Sequence, residues 1–497
     1  MENTLYYGDN LEILRKYIKD ESIDLIYLDP PFNSKANYNV LFKDESGESK
    51  AQIQAFTDFW HWDEESAKTY DYLITNSDVP AKVSNLISAL HSFLGQNQMS
   101  AYLVMMTVRL IELHRVLKDT GSLYLHCNPT ASHYLKIVLD AIFGEKNFRN
   151  EIIWYYPFAG RSKRTFSRKH DTIFWYSKTE KYIFNADSPF LRVPITDDSI
   201  KHNYRYTDES GRRYREDPRR SGKKYRYYLD EGKIPEDVWN DIHSLHWELS
   251  ERLGYDTQKP VALLERIINA NSNKGDIILD PFCGCGTTID ASEKLERTWI
   301  GIDITHLAIN LIKRRIKEKY PNCKFEVIGE PKDIEGAKDL ALKDRYQFEW
   351  WALSLIDARP ANDKKKGADQ GVDGIILLQN PNMKELIKAL VQVKSGHVKS
   401  DMITAFKGAM ERDKAQYGIF ITLEEPTQPM VKEALEKGFE TEPLTKERIP
   451  KVEIITIKEL LDGKIPKLQQ VYNRINITYQ KAEKDKTKEE KGYYKKF

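Results

Sequence analysis

DLIYLDPPFNSKANYN, residues 24–39 of a 497-residue chain, is an apolar run that stops abruptly at Asp29-Pro30-Pro31-Phe32. Leu25, Ile26, Tyr27 and Leu28 form a short continuous apolar stretch bounded by breakers, which predicts a buried strand. Two successive prolines then forbid both helix and further ladder pairing, so the chain leaves the sheet with Asp29 at the strand's carboxyl end. In open α/β sheets ligands bind at that edge. Taken alone, the stretch reads equally well as a strand closed by a Pro-Pro turn. A second stretch far down the chain makes it half of a site.

That second stretch runs from a strand predicted at 276–279 into the loop DPFCGCGT, residues 280–287, then a helix to about 295 and a strand at 299–304, WIGIDI. It is a βαβ unit with a glycine turn after its first strand and Asp303 at the end of its second. Gly284 and Gly286 permit a tight turn and close backbone approach, with the helix amino end facing the ligand. An acid after the second strand suits a ribose diol. The dinucleotide fingerprint would need a third glycine where Ile289 stands, so a nicotinamide cofactor is not expected.

Between the two stretches an α/β rhythm is legible. Helices are predicted at about 10–18, 84–94, 101–117 and 131–143, with a strand at 122–126. Residues 33–100 interrupt this rhythm with polar and aromatic sequence, including Trp60-His61-Trp62. A loop that long after a strand end is expected to be functional and to cover a substrate. From about 151 to 256 the composition shifts to Tyr, Trp, Arg and Lys. Two basic and aromatic clusters stand out, at 160–169 (GRSKRTFSRK) and 201–228, the latter with Arg212, Arg213, Arg215, Arg219, Arg220, Lys223, Lys224 and Arg226 among tyrosines. Guanidinium groups neutralise phosphates and read guanine edges, and tyrosines stack on bases. The competing reading is a solvated surface loop, because Asp208, Glu209, Glu216 and Asp217 dilute the charge.

The totals fit a multidomain enzyme. Lys plus Arg (76) and Asp plus Glu (75) nearly cancel, so any nucleic-acid affinity must come from clustering. Four cysteines are too few for a disulfide framework, and Cys283 and Cys285 have no second pair at zinc spacing. The polar start and the absence of a long apolar run lead us to expect a soluble, cytoplasmic enzyme.

A nucleoside-cofactor loop combined with Asp-Pro-Pro-Phe at the mouth of one sheet resembles the amino-methyltransferases that act on DNA. The order, with residues 29–32 first, a basic region next, and Gln258-Lys259-Pro260 followed by 280–287 last, resembles the circularly permuted class called beta. The resemblance covers about residues 1–325. It implies an α/β, Rossmann-like methyltransferase that binds S-adenosylmethionine through Asp280, Pro281, Phe282, Gly284, Gly286 and Thr287, with Asp303 on the ribose. Asp9 and Lys259 are further cofactor-binding residues by the same resemblance. Asp29, Pro30, Pro31 and Phe32 would be catalytic, and the stretch 151–256 would be an inserted target-recognition region between catalytic (1–150) and cofactor-binding (257–330) parts. Double-stranded DNA is the implied partner, and dimers are common in the resembled class.

The chemistry also asks for these residue types on its own terms. An exocyclic base amine is a poor nucleophile because its lone pair is delocalised into the ring. Two acceptors at its hydrogens, the Asp29 carboxylate and the Pro30 carbonyl, favour a pyramidal nitrogen. Phe32 offers a face for a base taken out of the duplex. Within the family an Asp at the first motif position leans towards adenine-N6, whereas cytosine-N4 enzymes more often carry Ser, and a cytosine target remains the alternative.

Beyond about residue 330 a separate domain is expected, at 340–465, followed by a lysine-rich disordered tail at 480–497. It resembles the Mrr-like branch of the PD-(D/E)xK nucleases. The matching residues are Glu349 in a leading helix, Asp373 after Gly367-Ala368-Asp369-Gln370-Gly371-Val372, and Gln392-Val393-Lys394 at a strand end. The resemblance makes Glu349, Asp373, Gln392 and Lys394 catalytic and gives Asp373 and Gln392 to a Mg²⁺ ion. Strand alternation puts Gln392 and Lys394 on one face and Val391 and Val393 on the other. A DNA-binding protein with an inactive nuclease domain is the reading from another class.

Overall fold

The computed structural model describes the chain except for residues 1, 32–36, 44–49, 58–60, 158–162, 219–223, 246–250, 252–256, 362–370, 380–385, 443–445, 473–477 and 479–497. Phe32, Trp60, Gly367 to Gln370, Arg219, Arg220, Lys223 and the 480–497 tail therefore lie outside the described residues.

The first sheet collects nine strands. They are β1 (Thr4–Tyr7), β2 (Ile23–Leu28), β3 (Leu117–Cys127), β4 (Phe148–Tyr155), β5 (His170–Ser177), β6 (Val238–Trp239), β7 (Ile277–Asp280), β8 (Thr298–Asp303) and β9 (Glu326–Ile328). Their order across the sheet is β6-β4-β5-β3-β2-β7-β8-β1-β9. From β3 to β9 every neighbouring pair is parallel, and β5 is antiparallel to both β3 and β4.

The run that opened the reading is central for a physical reason. All six residues of β2 are buried, as expected of a parallel strand covered on both faces. Ile26 and Leu28 join the core beneath α1 (Asn10–Tyr17) and α2 (Gln98–Val116), while Leu25 and Tyr27 pack with Leu263, Leu264, Ile267 and Ile268 of α3 (Val261–Asn271). A polar residue inside such a strand must be satisfied. Asp24 accepts hydrogen bonds from Lys118 Nζ at 2.8 Å and from the Ile277 backbone at 2.9 Å.

Several boundaries differ from the sequence reading. Thr4–Tyr7 forms β1 between β8 and β9, a pairing that four residues near the chain start do not announce. The stretch 33–100 holds the helices Glu64–Thr75 and Ala81–Leu94 and a pair of strands, Asn37–Lys43 with Lys50–Thr57. The expected recognition region is not wholly separate, because β4, β5 and β6 extend the main sheet. The longest excursion from it in this region runs from 178 to 237 and carries a small antiparallel sheet of Tyr206–Thr207, Arg213–Pro218 and Lys224–Tyr228.

The second sheet has five strands in chain order: β10 (Arg359–Pro360), β11 (Gly374–Gln379), β12 (Leu386–Lys394), β13 (Tyr417–Thr422) and β14 (Val452–Thr456). Its faces carry separate cores. Phe348 and Trp351, from the helix Arg345–Ser354, pack with Val391 and Val393, whereas Leu390 and Phe420 pack with Phe406 and Met410 of the helix Ser400–Arg412. No helix among the described residues is long and apolar enough to cross a membrane.

Candidate active sites at two strand edges

Four neighbouring parallel strands, β2, β7, β8 and β1, end in or just before Asp29, Asp280, Asp303 and Asp9 respectively. Parallel strands share one carboxyl edge, so residues up to about 300 positions apart converge there. A cavity of about 280 Å³ opens at this edge, and all four aspartates line it, with Pro31, Lys259, Phe282, Gly284 and Thr287. Of the sequence-predicted residues, Pro281 lines it too. Gly286 instead shapes the loop behind it.

The glycine loop is bent by that residue. Gly286 sits at φ +77° as the residue before the helix α4 (Thr287–Lys294), and its amide donates to the Cys283 carbonyl at 2.7 Å. A Cβ at position 286 would lie 2.7 Å from Ile312 Cγ1 on the helix α5 (His306–Lys319). Glycine is thus required twice, by conformation and by space. Beneath the loop, Arg315 of α5 donates to the Cys285 carbonyl at 3.1 Å and to Asp290 Oδ2 at 2.5 Å. Lys319 and Tyr320 also hold Asp290, at 2.8 and 2.7 Å. Burial would raise the Asp290 carboxyl, but Arg315 and Lys319 outweigh it and bring it down to about 2.

Asp303 ties two loops together. Its Oδ2 accepts from the Gly284 amide at 3.0 Å, and its Oδ1 accepts from the Thr305 amide and hydroxyl, both at 2.9 Å. Oδ2 thus keeps a second acceptor site for a ligand hydroxyl. Asp280 accepts from Thr288 Oγ1 at 2.5 Å and from the Phe282 amide at 3.0 Å. Burial pushes both acids up, Asp280 to about 7 and Asp303 to about 6. A cationic ligand with hydroxyls would favour their ionised forms.

Asp9 lines the cavity and is also engaged within the protein. Its Oδ1 caps α1 through the Leu11 amide at 2.7 Å, and its Oδ2 takes Arg109 Nη2 at 2.6 Å. Arg109 also donates to Asn10 Oδ1 at 2.6 Å, and Asn10 donates to the Pro281 carbonyl at 2.7 Å. Asp9 therefore organises the cavity wall through Arg109 and Asn10, which the sequence reading did not single out. Lys259, for its part, is directed at Asp29 Oδ2. The other oxygen, Asp29 Oδ1, is buried and has no hydrogen-bond partner among the described residues. Such an orphaned acceptor costs about 1–3 kcal/mol.

Behind Asp29 lies a second feature that no motif flagged. Tyr27 Oη and His126 Nδ1 are 2.9 Å apart, and His126 Nε2 lies 3.2 Å from Asp171 Oδ2. Tyr156 Oη donates to Asp171 Oδ1 at 3.1 Å. Burial would raise Asp171, but His126 and Lys259 hold its carboxyl below the usual range. The only sequence signal was polar residues at strand ends, His126 in β3 and Asp171 in β5.

At the second sheet, Asp373 precedes β11, and its Oδ2 accepts from the Val393 amide of β12 at 2.8 Å. Gln392 is buried, and its Oε1 has no hydrogen-bond partner among the described residues. Gln392 and Lys394 are on the opposite face from Val391 and Val393, as alternation requires. Glu349 is buried on its helix with Oε1 3.2 Å from Arg345 Nε. Asp373 and Gln392 offer one carboxylate and one amide oxygen at neighbouring strand ends, a donor set that fits a hard divalent cation.

A family model for N6/N4 DNA methylases matches residues 23–314, and one described as restriction endonuclease, of the Mrr type, matches residues 344–462. The Type II methyltransferase M.EcaI of Enterobacter cloacae is 27% identical over 363 residues, covering 63% of this chain and 69% of that protein. Type II methyltransferase M.HpaI of Haemophilus parainfluenzae is 33% identical over 257 residues, covering 50% and 71%. The DNA adenine methyltransferase YhdJ of Escherichia coli K12 is 27% identical over 315 residues, covering 63% and 82%.

Proposed function

Because this chain belongs to the N6/N4 DNA methylase family and carries a Mrr-like restriction endonuclease domain, we propose that it methylates adenine-N6 in a specific DNA sequence and cleaves DNA with Mg²⁺. The observation that carries the methylation reading is the orphaned Asp29 Oδ1 at the wall of a cavity shared with the glycine loop. Its missing partner is supplied by the N–H of an exocyclic amine. The Pro30 carbonyl takes the second hydrogen, and Lys259 on the other carboxylate oxygen fixes the orientation of Asp29. With both hydrogens held, the nitrogen lone pair is freed from the ring and aimed into the cavity, so positioning and electrostatics supply most of the catalysis.

S-Adenosylmethionine, when bound, supplies an electrophilic methyl carbon. The residues that would hold it are Gly284, Thr287, Asp280 and Asp303, with Phe282 and Pro281 as apolar walls, while Gly286 would shape the loop that presents them. Their donor set fits, since two buried acids suit a ligand bearing a positive charge and a diol. Motif order supports the circularly permuted arrangement, with the residues that touch the base on β2 and those that touch the cofactor on β7 and β8. The adenine preference rests on Asp29 as the first motif residue, and YhdJ, named as an adenine enzyme, supports it.

The span 178–237 would read the DNA sequence. Its small sheet stacks Arg212 over Tyr228 at 4.0 Å and Arg226 over Tyr214 at 4.8 Å, and Arg212 is also engaged by Asp230 and Glu231. At the second sheet, Asp373 and Gln392 would hold Mg²⁺, with Lys394 beside them and Glu349 completing the catalytic set. The orphaned Gln392 Oε1 supports this.

The test is to incubate the protein with unmodified DNA and S-adenosylmethionine, with and without Mg²⁺, then analyse methylated nucleosides and fragment lengths. N6-methyladenine and Mg²⁺-dependent fragments are expected. N4-methylcytosine would overturn the adenine assignment, and intact DNA under every Mg²⁺ condition would overturn the nuclease.

A further inference from the structure

Phe166 is fully exposed, the most exposed large apolar side chain among the described residues. It sits in the connection between β4 and β5, preceded by Lys163 and Arg164 and followed by Arg168 and Lys169. The base of this connection is pinned. Tyr155 pairs with His170, the Tyr156 amide donates to the Lys169 carbonyl at 2.9 Å, and Lys169 Nζ donates to the Pro157 carbonyl at 2.7 Å. Because Cys127 at the end of β3 pairs with Thr172, the connection projects from the same sheet edge that carries Asp29.

Three facts bear on what such a residue could do. Asp29 lies in a concave cavity with its side chain only 15% exposed, so a base stacked in a duplex cannot present its amine there. The base must leave the stack, and the slot it vacates is flat and apolar, with phosphates on both sides. An aromatic ring flanked by two cationic pairs matches that slot in shape and charge.

We infer that Phe166 is the wedge that enters the duplex and fills the gap left by the extruded base. This rests on the proposed DNA amino-methylation. Lys163 and Arg168, on either side of it in the chain, hold the DNA backbone while the ring replaces the stacking that the target base gives up. Phe166 touches neither cofactor nor reacting atoms, so it acts as a positioning residue.

The test uses the full chain and synthetic duplexes carrying the sequence that wild type methylates in plasmid DNA, one with 2-aminopurine in place of the target base to read extrusion and others with the adenine kept, paired or mispaired, to read methylation. Wild type should raise the fluorescence on binding. Phe166→Ala should lose most of that rise and methylate the paired duplex about ten- to a hundredfold more slowly, the range expected for one lost aromatic stack. On a duplex with the target mispaired, where extrusion is already cheap, the deficit should shrink to within about threefold. Phe166→Trp should restore both readouts, and S-adenosylmethionine binding should be unchanged in either variant. Equal losses on paired and mispaired duplexes, or no loss on either, would overturn the wedge while leaving the methylation reading intact. A wild-type chain that methylates neither duplex would overturn both.

Discussion

Asp29 is held by Lys259 at one oxygen and unpartnered among the described residues at the other, and that asymmetry makes its substitutions informative. Asp29→Asn keeps the shape but removes the charge that Lys259 faces, and one of its two side-chain positions becomes a donor. Methylation should fall by at least about a thousandfold, since roughly 4 kcal/mol of oriented electrostatic stabilisation is at stake. Cofactor affinity, measured by calorimetry, should stay within about threefold. A large loss of cofactor affinity would move Asp29 out of the base-binding half of the site. Asp280 and Asp303 make the opposite kind of claim. Burial raises them to about 7 and about 6, so the folded, cofactor-free protein holds more protons than the unfolded chain as pH rises from the usual carboxylate range to neutrality. The contribution of these two groups to stability must therefore fall as pH rises through that window. Denaturant titrations at a series of pH values should show this slope weakened in Asp280→Asn. The same groups should make S-adenosylmethionine bind more tightly as pH climbs from about 5 to about 8, with protons released on binding, detectable as a dependence of the binding heat on buffer.

At the scale of elements, α4 and α5 hold the glycine loop in place through one buried charge network and one glycine. Gly286→Ala would drive a methyl group against Ile312 at a positive φ and should cost about 1–3 kcal/mol of stability. Measured in an Ile312→Ala background, which removes the crowding atoms, the cost of Gly286→Ala should shrink only in part because the backbone strain persists, and its disappearance would show that crowding alone was at fault. Asp290→Asn leaves Arg315 and Lys319 without their carboxylate in a dry interior and should cost about 3–5 kcal/mol. The glycine loop was legible because its turn needs specific residues at fixed offsets. The same is true of β2, whose unbroken apolar run and terminal prolines announced both its burial and its end. The network beneath the loop was not legible, since Asp290, Arg315 and Lys319 read as an ordinary polar helix face until two helices are packed together. The Tyr27, His126 and Asp171 chain was hidden for a related reason. Its members come from three strands, and only the pairing of β2 with β3 and β3 with β5 makes them neighbours. The interior strand β1 was missed because four residues carry too little periodicity to announce a strand paired on both sides.

The molecule as a whole has two groups of cores that share no residues, one around the nine-stranded sheet and one around the five-stranded sheet. They meet where the His306 backbone amide donates to Gln347 Oε1 at 3.1 Å, beside the stacked rings of Tyr7 and His306 at 3.7 Å. Separate cores predict separate chemistry. Lys394→Ala should abolish cleavage and spare methylation, and Asp29→Asn should do the reverse, so matched losses in either variant would argue for a shared site. They also predict two heat-absorption transitions in calorimetry, of which S-adenosylmethionine should raise only one. The path of the chain through the larger sheet has a different kind of consequence. The span 178–237 departs after β5 and returns at β6, both already anchored in the sheet, while Asp29, Asp280 and Asp303 stand at the ends of strands with which it does not pair; it meets the catalytic part at the end of α3, where Asn185 Nδ2 donates to the Asn269 and Ser272 carbonyls at 3.0 and 2.9 Å. If this span reads the DNA, as proposed, replacing it with the counterpart of a relative should change the methylated sequence and leave S-adenosylmethionine affinity within about threefold.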